Sequence, residues 1–425
     1  DGMIRQEGRI LFVVEMANTQ RPGKVAVHDH LIQVSDAEFF TTVQTNTQRT
    51  DVEFIWEGMK IPEASEFKTI HQIIKKAKQN LSQTLWDYVI GGTASETTLR
   101  RNRASIDSKA LLPKILNDVS DIDTTISILG KKIALPVILA PIGSLQNLVK
   151  GGGATAAIAA EEAGIMSIAS SVCHPDLEDI AAASKSPKIY QLYVRGDADW
   201  TDNKVQRAID AGYTAFCLTV DSAVVSRRER DISKAVTPTS KPVSGYGDRV
   251  FQQSLNWADV QRIKNNFDIP LIIKGINRPD DAKKAIDLGV EVVYVSNHGG
   301  RQLDHGVGSL DLLPAIVKAV EGKAEIIIDG GFYRGTDIVK AMIMGANAVG
   351  IGRLEAWSLA AGGAPALVQC LNILKWEISE TLSLCGVKSF DEFDDSFVVP
   401  SEIVYPPDLS AAFPLLNLED EGYYN

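Results

Sequence analysis

A histidine, two carboxylates, a lysine and two arginines stand just after short apolar runs in the second half of the sequence. Asp221 closes "AFCLTVD" (215–221), and Arg228 follows in the next loop. Lys274 follows "LII" in "PLIIKGI" (270–276), and His298 and Arg301 follow "GVEVVYV" in "SNHGGRQLDHG" (296–306). Asp329 ends "EIIID" and precedes Gly330 and Gly331. Imidazole is the side chain whose ordinary proton affinity suits a base near neutrality. A carboxylate beside it favours the imidazolium that forms when it accepts a proton. A lysine or aspartate among apolar residues is costly unless paired. A structural ion pair would account for any one of them, whereas their convergence would make a reaction centre.

Polar pairs stand in the same setting. Gln191 and Tyr193, and Thr219 and Asp221, lie two apart, so each pair points to one side of a strand. "DGGFYRGTD" and "GIGR" combine glycines with Arg334 and Arg353. Such a segment suits an anion: glycine lets backbone N–H groups approach, and a guanidinium grips a phosphate bidentately. Of the six histidines, His28, His30 and His71 come early, His174 follows another apolar run, and His305 lies deeper in its loop, leaving His298 nearest a strand end. "HDH" (28–30) lacks a supporting Cys, His or acid cluster, so no metal is expected.

Eight apolar runs position these residues: 135–142, 165–171, 188–194, 215–221, 270–276, 292–299, 325–331 and 348–353. Each is apolar at its start and polar at its end, as parallel strands buried on both faces are. Helical stretches lie between them at 152–164, 278–289 and 334–345, closed by Gly164, Gly289 and Gly345. The alternation predicts an α/β fold, a (β/α)8 TIM barrel whose site lies at the C-terminal strand ends. A doubly wound open sheet is the competing arrangement. Residues 65–92 predict one or two helices before the barrel, ending at Gly91-Gly92, and residues 1–58 a small β-rich extension. The expected domains are therefore 1–58, a barrel over 59–390, and an acidic extended tail over 391–425. The 229–256 stretch shows no clear element and has the length of a lid.

The chain of 425 residues, 45% hydrophobic with net charge −11, suits a large folded core and argues against nucleic acid as a partner. Four cysteines without C-x-x-C spacing fit reduced thiols. No uninterrupted apolar run approaches the ~20 residues of a membrane span. The ending "EGYYN" differs from a peroxisomal S-K-L address, so a cytoplasmic location is expected.

Several segments carry a family likeness. "SNHGGRQLD", with "DYVIGG", "LAPIG", "QLYV", "LTVDSAVVSRRERDI", "IIKGI", "DGGFYRGTD" and "IGR" in the same order, resembles the FMN-dependent α-hydroxy acid oxidases and dehydrogenases. That family includes glycolate and lactate oxidases, lactate monooxygenase, mandelate dehydrogenase and the flavin domain of flavocytochrome b2. The likeness covers roughly 63–390. It implies FMN as cofactor, His298 as the base and Asp221 as its carboxylate partner. It implies Arg301, Arg228 and Tyr88 on the substrate carboxylate, Tyr193 beside the substrate hydroxyl, and Lys274 near flavin N1/O2. Pro141, Ile142, Gly143, Ser170, Gln191, Thr219 and Ser296 match positions along the ring. Asp329, Gly330, Gly331, Arg334, Gly352 and Arg353 match the ribityl and phosphate end. The chain departs from the family at Tyr333, where a second arginine is usual, at Leu354 in place of proline, and in "VKGGG" (149–153). Val172 replaces the tryptophan of glycolate oxidases, leaving room for a substrate bulkier than glycolate.

The expected activity is oxidation of a 2-hydroxy acid to a 2-oxo acid, with dioxygen or another acceptor returning the flavin to its oxidised form. Family habit implies a homotetramer. The alternatives are an FMN barrel acting on an unusual hydroxylated metabolite or using FMN as type 2 isopentenyl diphosphate isomerases do, and a non-catalytic barrel serving as a binding protein.

Overall fold

The computed structural model describes residues 67–234, 250–414 and 416, and the backbone of four strands near the N-terminus. The chain divides into compact units at Asp1–Glu66 and Phe67–Asn425. In the first, Gly2–Gln6, Arg9–Val13, Lys24–Val27 and His30–Gln33 pair antiparallel in that order. The rest of the 1–58 extension, including most of "HDH", lies outside the described residues, as does the middle of the expected lid.

The second unit is a closed parallel barrel. Its strands are β1 (Val137–Leu139), β2 (Met166–Ser170), β3 (Lys188–Leu192), β4 (Ala215–Thr219), β5 (Leu271–Ile276), β6 (Val292–Val295), β7 (Glu325–Asp329) and β8 (Ala348–Ile351). Neighbours follow chain order around the ring, and β8 pairs with β1. Each of the eight expected runs contains one strand of the ring. Inward residues such as Ile138, Ile168, Cys217, Ile272 and Ile327 fill the barrel, and outward ones such as Phe216, Ile273 and Val293 meet the helices. That two-sided burial is why the strands read as unbroken apolar runs.

The segment before the barrel forms two helices, α1 (Ile70–Asn80) and α2 (Gln83–Ile90). Thr69 and Gln72 close a capping box at the start of α1. Its buried Ile70, Ile73, Ile74 and Ala77 follow helical spacing and pack on the helix Arg353–Cys385. Each buried isoleucine contributes roughly 1.5–3 kcal/mol. The long partner helix breaks at Gly362 and Gly363, and the most apolar part of the segment running on to Glu392 is 72% buried, which accounts for its hydrophobicity.

Helix α3 (Thr97–Asp107) has no apolar stripe in its sequence; it buries Thr98, Asn102, Arg103, Ser105 and Ile106 instead. Arg103 forms a bidentate ion pair with Asp337 at 2.7 and 2.9 Å, and Asn102 exchanges amide hydrogen bonds with Asn297. This polar seam ties α3 to the β6 and β7 loops. The expected tail also joins the body. Val398–Pro400 pairs with Lys109–Leu111, and Phe413 is fully buried against His71 and Tyr333.

Candidate active site

His298 sits three residues past β6, in a short 3-10 turn, with φ +58°. A residue other than glycine is uncommon in that left-handed region, and its presence marks a position held by its surroundings. Ser296 Oγ accepts from the His298 N–H at 3.0 Å, and Asn297 Oδ1 from the Gly300 N–H at 3.1 Å. Gly300 has no side chain for a reason: a Cβ there would stand 2.5 Å from the Leu99 nitrogen of α3. The turn therefore holds the imidazole over the barrel mouth.

Asp221 Oδ1 lies 2.8 Å from His298 Nδ1, and Tyr193 Oη lies 3.2 Å from Nε2. The carboxylate places the ring proton on Nδ1, which leaves the Nε2 lone pair toward the cavity. Burial pulls the imidazole pKa below its ordinary value, and Asp221 only partly restores it, so the resting ring is neutral. Burial would raise Asp221, yet His298 and Lys274 hold it below the usual carboxylate range. Room for Asp221 comes from an irregularity in β5. The β5–β6 register shifts between Lys274 and Ile276, and a Cβ on Gly275 would stand 2.6 Å from the Asp221 Cβ.

Lys274 is buried and donates to Ser296 Oγ at 2.9 Å, and Asp329 Oδ2 lies 3.6 Å from its Nζ. Ser296 donates in turn to Asp329 Oδ1 at 2.6 Å. Burial opposes the ammonium charge, but Asp329 and Asp221 outweigh it and keep the group protonated above its ordinary pKa.

Two arginines face this centre. Arg301 donates to the Tyr88 and Gly91 carbonyls at 2.7 and 2.8 Å and lies 4.9 Å from the Tyr88 ring centroid. Arg228 reaches Ser226 Oγ at 3.2 Å, and Asp231 stands 4.0 Å away. Burial and then the Arg301 charge draw the Arg228 pKa down to about 10, still charged at neutral pH. Two half-buried guanidiniums that repel one another make a ready site for an anion.

These groups open on one cavity of about 480 Å³ at the C-terminal strand ends, the volume of a small-molecule site. Tyr88, Tyr193, Arg228, Lys274, His298 and Arg301 line it, with Pro141, Ile142 and Gly143 from the β1 loop. Asp329, Gly330, Gly331, Gly352 and Arg353 form its other end. Gly330, at φ +108°, passes so close to Ser309 that a Cβ would lie 2.7 Å from its Oγ. This glycine-lined end, one cation and a buried lysine fit a flavin phosphate and its pyrimidine ring.

Several expected contacts fall elsewhere. Arg334 does not line the cavity; it pairs with Glu377 at 2.5 Å, lies near the Phe413 ring and ties the tail to the barrel. Its expected place at the phosphate end is corrected accordingly: buried Glu377 captures the guanidinium. Arg353 lines the cavity, but Nε and Nη2 donate to the carbonyls of Val89, Gly91 and Gly299. Three of its donated hydrogen bonds thus go to backbone carbonyls, where a bidentate phosphate grip is expected. Ser170, Gln191 and Thr219 are buried behind the wall, in a chain from Ser170 Oγ to Gln191 and from Gln191 to Thr219 Oγ1, both at 2.8 Å. Ser296 is also fully buried and ties Lys274 to Asp329.

Three functional positions escape a strand-end reading. Ser226 orients both arginines, accepting from Arg228 and donating to the Arg301 carbonyl at 2.5 Å. Gln252, from the helix Val250–Ser254, bridges the Val194 N–H and the Thr219 carbonyl. Val224, Val225 and Ile232 line the cavity on the β4 side. Only the last had a signal, a short apolar cluster in an otherwise polar loop. His305 is not in the cavity; it meets Ser95 and Arg101 on the outside.

A family model for FMN-dependent dehydrogenases matches residues 77–400. An L-lactate oxidase of Nostoc sp. is 40% identical over 348 residues, covering 76% of this chain and 95% of that protein. A peroxisomal (S)-2-hydroxy-acid oxidase of Oryza sativa subsp. japonica is 36% identical over 343 residues, covering 76% and 93%. A solved structure of a mandelate oxidase mutant with an FMN adduct has a TM-score of 0.69 and 33% identity, covering 75% of this chain and 96% of that one.

Proposed function

From a chain that belongs to the FMN-dependent dehydrogenase family, and is an FMN-dependent enzyme of 2-hydroxy acid oxidation, we propose which residues perform the reaction and on what. FMN supplies the two-electron acceptor. The observation that carries the assignment is the Asp221–His298–Tyr193 array, at 2.8 and 3.2 Å, facing the two half-buried arginines across one cavity.

Arg228 and Arg301 bind the substrate carboxylate, and the Tyr88 hydroxyl assists them. Binding brings one negative charge to two repelling cations, so the interaction is charge-assisted on both sides. Tyr193 orients the substrate hydroxyl toward Nε2. His298 accepts a proton from the substrate at Nε2, and Asp221 stabilises the imidazolium through the Nδ1 hydrogen bond. A neutral resting imidazole is the protonation state this step requires. Lys274 lies where it would face the flavin pyrimidine end and stabilise negative charge there.

The substrate is a 2-hydroxy acid larger than glycolate. Val172, Val224, Val225 and Ile232 in the cavity wall support an apolar side chain. Family habit supports a homotetramer, to be checked by light scattering, and the sequence supports a cytoplasmic location, to be checked by cell fractionation. The central test is His298→Ala, mixed anaerobically with a panel of 2-hydroxy acids and followed near 450 nm. Flavin should stay bound and fail to bleach. Bleaching at the wild-type rate would remove His298 from the reaction.

A further inference from the structure

Tyr294 lies in the middle of β6 and points into the barrel among Cys217, Ile272 and Ile327, fully buried. It stands directly opposite Lys274 in the β5–β6 register, and Lys274 Nζ lies 5.3 Å from its ring centroid. That separation is within the range of a cation–π contact. Phenylalanine would offer the same π face without a hydroxyl to desolvate, so the phenol calls for its own explanation.

The hydroxyl has a place made for it. Gly350 in β8 carries no side chain, and a Cβ there would stand 2.1 Å from Tyr294 Oη. Gly350 is the register partner of Asp329. Oη therefore rests in a notch beside the Asp329 carboxylate, without a partner in good hydrogen-bond geometry. Burial first, and then the Asp329 charge, keep its proton on. Asp329 is already engaged by Ser296 through Oδ1, and its Oδ2 stands 3.6 Å from Lys274 Nζ, beyond a close ion pair.

We propose that Tyr294 is a positioning residue for Lys274. Its π face carries the ammonium, and its hydroxyl dipole, seated in the Gly350 notch beside Asp329 without a formed hydrogen bond, offsets part of the carboxylate's pull, so that Lys274 stays directed at the flavin instead of collapsing onto the carboxylate. The inference rests on the reading that Lys274 serves the flavin. Gly350 is part of the same device, because any larger residue would displace the hydroxyl.

The test uses purified holoenzyme and two readouts besides turnover: the flavin two-electron midpoint potential and the dissociation constant of sulfite, which adds to electron-poor flavins. Tyr294→Phe should keep the flavin and weaken sulfite binding about tenfold, with the potential falling by about 30 mV, the equivalent of tenfold for a two-electron couple. Tyr294→Leu, which also removes the π face, should weaken sulfite binding about a hundredfold. Gly350→Ala should lower thermal stability and shift both readouts in the same direction. Adding Tyr294→Phe to Gly350→Ala should restore the stability by removing the clash. Lys274→Met is the control for the underlying reading. If it shifts both readouts while Tyr294→Phe and Tyr294→Leu stay within threefold of wild type, the Tyr294 inference is overturned and the Lys274 reading stands. If Lys274→Met changes neither readout, the Lys274 reading itself is overturned.

Discussion

Replacing Asp221 with Asn isolates the charge of the His298 partner from its geometry. The amide oxygen can still accept from Nδ1–H across the present 2.8 Å, so the ring keeps its place and tautomer. What disappears is the attraction between the carboxylate and the imidazolium that forms during proton transfer. With charge centres about 4 Å apart and an effective dielectric constant near 20, that attraction is about 4 kcal/mol. Lost in the transition state, it corresponds to a decrease of about a thousandfold in flavin reduction. Substrate binding should change only a few-fold, because the arginine clamp is untouched. The acid limb of the pH–rate profile supplies a second sign. Asp221 raises the His298 pKa against burial, so Asp221→Asn lowers it further and moves the acid limb to lower pH while the plateau falls. Anaerobic stopped-flow reduction as a function of substrate and pH measures both. A loss under tenfold, or an acid limb moving toward higher pH, would refute the assignment of Asp221 as stabiliser of the imidazolium.

Arg228→Met removes one charge-assisted contact and should weaken substrate binding by roughly 1.5–3 kcal/mol, about ten- to a hundredfold, as measured by titration with a non-reacting 2-oxo acid. Arg334→Ala should leave the FMN dissociation constant within threefold, because that guanidinium serves Glu377 rather than the cavity. The same variant should lose up to about 3 kcal/mol of stability in denaturant titration by stranding Glu377. Asp337→Asn leaves buried Arg103 with Asp107 as its remaining carboxylate partner, so the loss should stay below the ~3–5 kcal/mol of a stranded buried charge. Burial raises Asp337 but Arg103 lowers it below the ordinary value. Its stabilisation is therefore present above about pH 4, fades as pH falls through the lower folded value, and is missing from the Asp337→Asn acid-unfolding curve.

The barrel was legible because parallel strands covered on both faces are written as unbroken apolar runs, and each run here ends in its functional residue. Helix α3 was not, because hydrophobic periodicity cannot register a face buried through Asn102, Arg103 and Ser105. Its cohesion depends on Asn297 and Asp337, about two hundred residues away in sequence. The long helix after Arg353 hid differently: it is apolar nearly all round, so no stripe marks it, and Gly362 and Gly363 interrupt it. Within the site, residue type and strand end located His298, Asp221, Lys274 and Arg228. They could not say where a guanidinium spends its donors. Arg334 and Arg353 look alike in sequence, yet buried Glu377 takes one and the backbone carbonyls of Val89, Gly91 and Gly299 take most of the other.

That difference bears on how the cavity balances its charge. Lining it are Arg195, Arg227, Arg228, Lys274, Arg301 and Arg353, against Asp231 and Asp329, with Asp221 behind a neutral His298. The described residues thus leave a surplus of positive charge, and burial together with Arg301 already draws Arg228 down. Buried like charges of this kind are costly unless an anion compensates them. On the proposed assignment, FMN phosphate at the glycine-lined end and a substrate carboxylate at the arginine pair would supply the missing negative charge, each near its own cations. The same balance governs the base. A neutral 2-hydroxy analogue would leave Arg228 and Arg301 uncompensated, and the field of Arg228 would continue to depress the His298 pKa. Binding the carboxylate cancels that field next to the imidazole, so substrate entry itself raises the proton affinity of Nε2. The acid limb of kcat should accordingly lie at higher pH than that of kcat/KM.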